Sequence, residues 1–228
     1  MTRHAERSAA APRARAAAGH IASLALAGLL IGAAPDPTRN TLPPPPPTRI
    51  AHPDALFLDD FSDGKLDGWA ADRPGVWSIW HGVLRGDLPD AKQERSFIYA
   101  GAESWTDYVV DLDVCGIRGV DKGVAVRVTG SQGVGVDLRA AGYQDVVMYR
   151  GDWPMGHAPV INANGAWQHL RVEARGHRYR VWVNGALALD KQDPHKAFPN
   201  GRIALPAYTG GIGQCTVYYD NVVVTPVR

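Results

Sequence analysis

Two neighbouring segments of this chain, residues 123–129 and 133–139, alternate apolar residues with polar, charged or small ones. Successive side chains of an extended strand point to opposite faces, so one face of each segment is expected to be buried. The other face would carry Arg127, Asp137 and Arg139. These three side chains can hydrogen-bond a polar ligand if the two strands are neighbours, although a solvated sheet face with weak charge pairs produces the same pattern.

Aromatic residues near these segments suggest what such a ligand would be. Tyr143, Tyr149, Trp153 and Tyr208 fall in or beside expected loops, and Trp153, between an Asp and a Pro, is expected to be exposed. Exposed aromatic rings pack on apolar faces, and a pyranose ring offers an apolar C–H face. The sequence therefore predicts a carbohydrate site formed by Arg127, Asp137, Arg139, Tyr149 and Trp153.

Acidic residues form a second candidate group. Asp59, Asp60 and Asp63 surround Phe61, and Asp220 lies in the last apolar segment. Carboxylate and main-chain oxygens are the ligands that Ca²⁺ prefers, so these residues could form a calcium site. A turn at residues 63–64 and an ordinary strand residue at 220 explain the same residues equally well.

The two cysteines, Cys115 and Cys215, lie at the ends of two expected strands. In an exported protein a disulfide between them is a reasonable expectation, and the alternative is a pair of free, buried thiols.

Several other chemistries have no support in the sequence. There is no Gly-x-Ser-x-Gly motif, the Gly-rich residues 209–213 are not followed by a helical pattern, and the five His residues after position 53 have no close metal-ligand spacing. Residues 54–228 hold 18 Lys and Arg against 21 Asp and Glu, a net charge of −3. This charge argues against nucleic acid as a partner.

The N-terminal part differs from the rest. Residues 1–34 carry four Arg and then a 14-residue apolar run from Ile21 to Ala34. At roughly 1.5 Å per residue this run is too short to span a bilayer, so it predicts a secretory signal peptide rather than a membrane span. Residues 35–53 are rich in proline and predict an extended linker. We therefore expect a secreted or cell-envelope protein with one domain, residues 54–228.

Beyond residue 54, period-two alternation predicts strands and almost no helix. The expected strands include 108–115, 123–128, 133–139, 169–175, 178–183, 186–190, 201–205 and 216–225, with an Asn-Gly hairpin turn at 184–185. Many short strands predict an all-β fold, a two-sheet antiparallel β-sandwich with jelly-roll connections. A closed barrel is the competing architecture.

The order of motifs over residues 55–226 resembles the concanavalin A-like lectin/glucanase superfamily, including 3-keto-disaccharide hydrolase-type domains, family 16 glycoside hydrolases and laminin G-like modules. The resemblance rests on Phe57-Leu-Asp-Asp-Phe-Ser-Asp-Gly64, Leu66-Asp-Gly-Trp69, Trp77-Ser-Ile-Trp-His-Gly-Val-Leu84, Trp167-Gln-His-Leu-Arg-Val-Glu-Ala-Arg-Gly176, Val181-Trp-Val-Asn-Gly185, Gly201-Arg-Ile-Ala-Leu205 and Tyr219-Asp-Asn-Val-Val223. It implies a structural Ca²⁺ held by the main-chain oxygens of Asp60 and Gly82 and by Asp220.

The resemblance also bears on catalysis. Family 16 hydrolases carry a Glu-x-Asp-x-Glu series on one strand, whereas segment 133–139 has only Asp137 and no Glu. The keto-disaccharide type is similar at Gly123-Val-Ala-Val-Arg127, where the resemblance places the Arg in the ligand site. Its usual Asn-Ser is Asp121-Lys122 here.

The main hypothesis is an exported, monomeric protein that binds an oligo- or polysaccharide without hydrolysing it. The first alternative is an enzyme acting on 3-keto-glycosides with Asp137 or His157 as acid or base. The second alternative is a laminin G-like adhesion module with a protein partner.

Overall fold

The computed structural model describes residues 36–44, 46, 52–140 and 142–227. The predicted signal peptide, residues 1–34, lies outside these residues. No helix among the described residues is long and apolar enough to cross a membrane.

Strands make up most of the described chain, and the two helical segments are short 3₁₀ turns at Pro37–Asn40 and Gly210–Ile212. The strands are β1 (Phe57–Asp59), β2 (Trp69–Ala71), β3 (Trp77–Trp80), β4 (Val83–Asp87), β5 (Arg95–Ala100), β6 (Tyr108–Arg118), β7 (Asp121–Thr129), β8 (Gln132–Arg139), β9 (Asp145–Arg150), β10 (Trp153–Pro159), β11 (Gln168–Arg175), β12 (Arg178–Val183), β13 (Ala186–Gln192), β14 (Arg202–Tyr208) and β15 (Thr216–Pro226).

These strands form two antiparallel sheets. Sheet A has the order β13-β12-β11-β6-β15-β4-β3, with β1 also pairing with β15, and sheet B has the order β10-β9-β8-β7-β14-β5-β2. Buried apolar side chains from both sheets form one core cluster between them. The predicted two-sheet antiparallel sandwich is therefore confirmed.

Alternation along the central strands decides which side chains enter the core. On β8, Val134, Val136 and Leu138 are fully buried in the core, whereas Asp137 and Arg139 are only partly buried on the outer face. The hairpin between β12 and β13 turns at Asn184 and Gly185, which both have positive φ, 49° and 82°. Two positive φ values are those of a type I′ turn, as the Asn-Gly pair predicts.

A bulge interrupts the alternation of β7. The register with β8 shifts between Val126 and Thr129, and Arg127 has a φ of +52°. An extra residue in a bulge turns the following side chains to the other face. Val128 consequently lines the outer face of sheet B, whereas the side chain of Arg127 is fully buried.

Part of the predicted linker packs on sheet A. Asp36 pairs with Arg118 at 2.9 Å and Arg39 pairs with Asp87 at 2.9 Å. Leu42 packs on an outer-face cluster that contains Tyr218. Residues 36–42, which precede the expected domain start at residue 54, therefore pack on the sandwich.

The structure does not support the predicted disulfide, because both cysteines are free and buried. Cys115 belongs to the outer-face cluster of sheet A, with Val83 and Tyr218, whereas Cys215 belongs to the core between the sheets. Cys115 lies in β6, and Cys215 lies directly before the neighbouring strand β15. Their side chains point to opposite faces of the sheet, so the two thiols do not meet. The alternative of two buried thiols is the one that agrees with the structure.

Candidate functional site

The outer face of sheet B contains a cleft of about 670 Å³. Side chains of β5, β7, β8, β9 and β14 line it, and the 3₁₀ turn at Gly210–Ile212 lines one end. A volume of several hundred Å³ is usual for sites that bind small ligands. The strand register arranges the outer-face residues in three rows that run across these strands.

The three rows differ in chemistry. The first holds charged and aromatic residues, the second a carboxylate and apolar groups, and the third small residues between two tyrosines. The first row is Asp145, Arg139, Asp121, Tyr208 and Arg95; the second is Val147, Asp137, Gly123, Pro206 and Phe97; the third is Tyr149, Gly135, Ala125, Ala204 and Tyr99. Consecutive rows are two residues apart along a strand, roughly 7 Å, so the cleft is longer than one sugar ring.

The third row forms a smooth floor with aromatic walls. Gly135, Ala125 and Ala204 lie side by side, with Tyr149 and Tyr99 at the two sides. A Cβ atom added at Gly135 would meet no atom within 4 Å. The space above the floor is therefore open, and a flat ring can lie there against tyrosine.

Two carboxylates face the cleft in the first and second rows. Asp121 is directly opposite Arg139, and Asp137 precedes Arg139 by two residues, so Asp121 and Asp137 are diagonal neighbours across two strands. Burial raises the pKa of Asp137 to about 7; Asp121 also raises this pKa, whereas Arg139 and Arg95 lower it. Burial likewise raises the pKa of Asp121, against the effect of Arg139.

These two carboxylates differ from the structural ones of the same chain. Asp59 accepts hydrogen bonds from the Phe61 N–H at 2.7 Å and from the Trp69 indole at 2.8 Å. Among the described residues, none donates a hydrogen bond to the carboxylate of Asp121 or Asp137. Both can therefore accept or donate a proton without breaking an existing bond.

Arg139 has a fixed position at the edge of the carboxylate pair. Its guanidinium donates to both oxygens of Asp145, at 2.8 and 2.5 Å, and lies 4.3 Å from the centre of the Tyr143 ring. A bidentate arginine–carboxylate pair has a defined geometry. The positive charge of Arg139 thus lies next to Asp121 and Asp137 without neutralising either directly.

Two core tyrosines of sheet A support the cleft from below. The Tyr219 hydroxyl donates to the Pro206 carbonyl at 2.6 Å and accepts from the Gly123 N–H at 3.3 Å. The Tyr108 hydroxyl accepts from the Arg127 N–H at 2.5 Å and donates to the Arg202 carbonyl at 3.3 Å. Each tyrosine thereby bridges β7 and β14, the two central strands beneath the cleft.

Three residues of the predicted binding set, Asp137, Arg139 and Tyr149, line the cleft. Trp153 is 70% exposed, as expected, but at the start of β10 and outside the cleft lining. His157, also on β10, lies across from Val147, which is in turn across from Asp137. One strand therefore separates His157 from the carboxylate pair.

Arg127 is a correction to the predicted set. Its guanidinium donates to the carbonyl oxygens of Thr106 at 3.0 Å and Phe198 at 3.1 Å, to the carbonyl of Gly176, and to Asp107 at 2.8 Å. The bulge in β7 turns this side chain away from the cleft and into the end of the sandwich. Arg127 therefore stabilises backbone segments at this end of the sandwich and does not line the cleft.

Three other cleft residues, Asp121, Phe97 and Tyr99, were not predicted as site residues from the sequence. Asp121 was known only as a departure from a family motif, and Phe97 and Tyr99 on β5 are remote from β8 in sequence. The alternation of β7 carries a usable signal, because Asp121 precedes Gly123 and Ala125 by two and four residues and so shares their face. No comparable signal joins β5 to β8.

The predicted calcium residues come from three parts of sheet A. β1 ends at Asp59 opposite Val222, and β15 pairs Asp220 with Asp113. Burial raises the pKa of Asp220 to about 7, although the hydrogen bond from the Asn221 N–H lowers it. The nearby carboxylates of Asp113, Asp60 and Asp59 also raise this pKa. This concentration of negative charge fits a hard cation.

No group of three or more His, Cys, Asp or Glu side chains within the described ranges is arranged to hold a metal. A calcium ion would therefore depend on main-chain oxygens such as those of Asp60 and Gly82, and this site stays a prediction.

Solved structures of low sequence identity share the fold. The carbohydrate-binding module CBM66 from Bacillus subtilis is 20% identical, with 69% of this chain and 95% of that chain covered and a TM-score of 0.58. The transglycosylase Crh5, solved in complex with NAG, is 14% identical, with coverages of 77% and 86% and a TM-score of 0.59. The alginate lyase Aly36B is 17% identical, with coverages of 78% and 99% and a TM-score of 0.54.

A comparison with curated protein sequences gives no match. The sequence model of the 3-keto-alpha-glucoside-1,2-lyase-like domain family, however, matches residues 56–225, which include all fifteen strands except the last residue of β15. The chain belongs to the 3-keto-alpha-glucoside-1,2-lyase-like domain family.

Proposed function

We propose that the cleft on sheet B binds a saccharide of at least two rings. The observation that carries this proposal is the third row, a floor of Gly135, Ala125 and Ala204 between Tyr149 and Tyr99. Neighbouring strands are about 4.8 Å apart, so this floor is roughly 10 Å wide between its outer Cα atoms. One ring fits on the floor with its C–H face against a tyrosine.

The first and second rows supply polar contacts for the next ring. Asp121, Asp137 and Arg139 can accept from and donate to sugar hydroxyls, and Arg95 is exposed at the far side. Hydrogen-bonding groups that surround an apolar surface are typical of small-ligand sites. Support for a saccharide also comes from the neighbours whose names state carbohydrate binding or processing.

A steric block of the floor tests the proposal. Gly135→Leu places a side chain in the open space above the floor, and Ala186→Leu, on the exposed edge strand of sheet A, is the matched control. Isothermal titration of maltotriose and a glycan array should show binding to wild type and to Ala186→Leu, and at least a ten-fold loss for Gly135→Leu. Absence of any glycan binding by wild type, or full binding by Gly135→Leu, contradicts the proposal.

A second function is favoured by the family and by the carboxylate Asp137. The C3 ketone of a 3-keto-α-glucoside makes the C2–H bond acidic, so a base can remove that proton while the C1–O bond breaks. The electron pair of the C2–H bond forms the C1–C2 double bond, and the glycosidic oxygen leaves with the alcohol. We infer that Asp137 is the base, because its pKa of about 7 is close to neutrality.

This elimination differs from hydrolysis, since no water is added to the glycosidic bond. Unoxidised glycosides would be bound and not cleaved, in agreement with the lack of Glu on β8. The test substrate is the 3-keto form of methyl α-D-glucopyranoside, and the product enone is followed by its ultraviolet absorbance. Asp137→Asn should abolish enone formation and His157→Asn should not; the reverse result would assign the base to His157.

The N-terminal residues support a proposal about location. We infer that residues 1–34 direct export, because a basic start precedes a short apolar run. The domain would then act as a monomer in the envelope or outside the cell. Mass spectrometry of the protein recovered from the culture medium or the envelope checks this by finding an N-terminus after residue 30.

A further inference from the structure

We propose that Asp121 is the catalytic acid that protonates the leaving oxygen, in partnership with the base Asp137. This inference rests on the proposed elimination and deepens it by naming the second proton-transfer residue. Asp121 and Asp137 both line the cleft, and they come from adjacent strands of the same sheet.

The separation of the two carboxylates suits this pair of roles. Diagonal neighbours on antiparallel strands are roughly 7–8 Å apart, with somewhat less between their Cβ atoms, and both carboxyl groups extend from these positions into the cleft. Carboxyl groups about 6.5–9.5 Å apart act on opposite faces of a sugar ring in inverting glycosidases. In an α-glucoside the C2 hydrogen and the glycosidic oxygen also lie on opposite faces, so an acid and a base at this separation can reach both.

The strand position next to both carboxylates, Gly123, contributes no side chain. Gly123 lies between Asp121 and Ala125 on the outer face of β7 and is directly opposite Asp137. The Gly123 N–H is held by Tyr219 from below. A ring over Gly123 would have Asp137 at one side and Asp121 at the other, with the following ring on the floor of Gly135 and Ala125.

The surroundings of Asp121 favour a proton donor. Its carboxylate lies beside the turn at Gly210, where an added Cβ would be 3.5 Å from Oδ2. No described residue donates a hydrogen bond to it. Arg139, the nearest cation on the adjacent strand, is bonded to both oxygens of Asp145 and not to Asp121. Asp121 and Asp137 line the same cleft on adjacent strands, so the pair can share one proton, and the reactive state is the one in which Asp121 holds it.

The proton balance of the step is complete without any further reactant. The C2 proton goes to Asp137, the C1–O bond breaks, and the proton of Asp121 goes to the departing oxygen. The products are the enone sugar and a neutral alcohol. The two carboxylates have then exchanged protonation states, and one proton transfer through solvent restores them.

A leaving-group comparison tests this role. The substrates are the 3-keto forms of methyl α-D-glucopyranoside and 4-nitrophenyl α-D-glucopyranoside, because methoxide needs a proton to leave and nitrophenolate does not. Asp121→Asn should lower kcat/KM for the methyl substrate roughly 100-fold or more. The loss for the nitrophenyl substrate should be less than about ten-fold, whereas Asp137→Asn should lose activity on both.

The outcomes separate this inference from the proposed function. No turnover by wild type on either substrate overturns the elimination itself. Turnover by wild type with equal losses on both substrates in Asp121→Asn overturns the acid role, since a change of structure or binding lowers both alike. An unaffected Asp121→Asn overturns it as well. A melting temperature close to that of wild type, measured on the same sample, excludes misfolding of the variant.

Discussion

The Tyr219 hydroxyl on sheet A donates a hydrogen bond of 2.6 Å to the Pro206 carbonyl on sheet B. The same oxygen accepts from the Gly123 N–H, so one buried phenol joins the two sheets directly beneath the cleft. Gly123 lies on β7 and Pro206 on β14, so the hydroxyl links the two central strands of sheet B to sheet A. The tyrosine acts as acceptor for one strand and as donor for the other.

Tyr219→Phe should therefore destabilise the protein and disturb the cleft. Loss of the hydroxyl leaves a buried N–H and a buried carbonyl without their partner, at a cost of about 1–3 kcal/mol in the free energy of unfolding. Urea denaturation measures this cost. Tyr143→Phe is the control, because Tyr143 is 57% exposed and should show almost no change; equal effects in the two variants would contradict the bridging role.

Arg127→Met should reduce stability without a specific effect on the ligand site. The guanidinium is buried and bonded to three carbonyls and Asp107, and its removal should cost about 3 kcal/mol or more. Arg178→Met, at an exposed pair with Asp190, should change little. Saccharide affinity of the folded Arg127→Met protein should equal that of wild type, and a selective loss of binding would return Arg127 to the site.

The stability of the protein should depend on pH through Asp137. The folded pKa is about 7 and that of an unfolded Asp is about 4, so between these values the folded state binds more protons. The contribution of Asp137 to the free energy of unfolding therefore falls as the pH rises from about 4 to 7 and is constant above that range.

Asp137→Asn removes this contribution. The free energy of unfolding of the variant minus that of wild type should therefore be larger at pH 8 than at pH 5, as measured by urea denaturation at both values. A difference between the two proteins that is the same at pH 5 and pH 8 would show that the Asp137 pKa is not raised.

Cys115 and Cys215 should both remain thiols in the oxidised, purified protein. Burial raises the thiol pKa of Cys115 to about 11 and that of Cys215 to about 12, and only the thiolate reacts with alkylating agents. Iodoacetamide should modify neither cysteine in the native protein and both after unfolding without reductant. A mass two units below that of the dithiol would instead indicate a disulfide.

Calcium should stabilise the protein if the predicted site of Asp60, Gly82 and Asp220 binds it. At a concentration 100-fold above Kd, a ligand of the native state adds about 2.7 kcal/mol. The melting temperature should rise with Ca²⁺, fall with a chelator, and lose both responses in Asp220→Asn. Asp190→Asn, on the exposed edge strand β13, is the control, and an unresponsive wild type would exclude the site.

The amino-acid pattern alone predicted eight of the fifteen strands and, along the regular ones, which side chains face the core. Period-two alternation placed Val134, Val136 and Leu138 in the core and Asp137 and Arg139 outside it, as observed. The Asn184-Gly185 turn was also correctly predicted. These features depend on neighbours in the chain, because the pleat of a strand and the φ values of a turn are local properties.

Contacts between residues distant in the chain became evident from the folded structure. The bulge at Arg127 reversed the expected face of two residues, and its cause is the shifted pairing of β7 with β8 rather than the composition of β7. The opposite faces of Cys115 and Cys215, and the packing of residues 36–42 on sheet A, likewise depend on contacts distant in sequence. The alternation of apolar and polar residues within a strand carries no information about such contacts.

The carboxylate pair shows the same division most clearly. Asp137 was identified from its own strand, whereas its partner Asp121 became evident only when the register set it diagonally across β7 and β8. The walls Tyr149 and Tyr99 are separated by 50 residues and meet the same floor only through four strand pairings. The sequence shows which side chains can do chemistry. Strand order and register decide which of them share one site, and both depend on the packing of the whole sandwich.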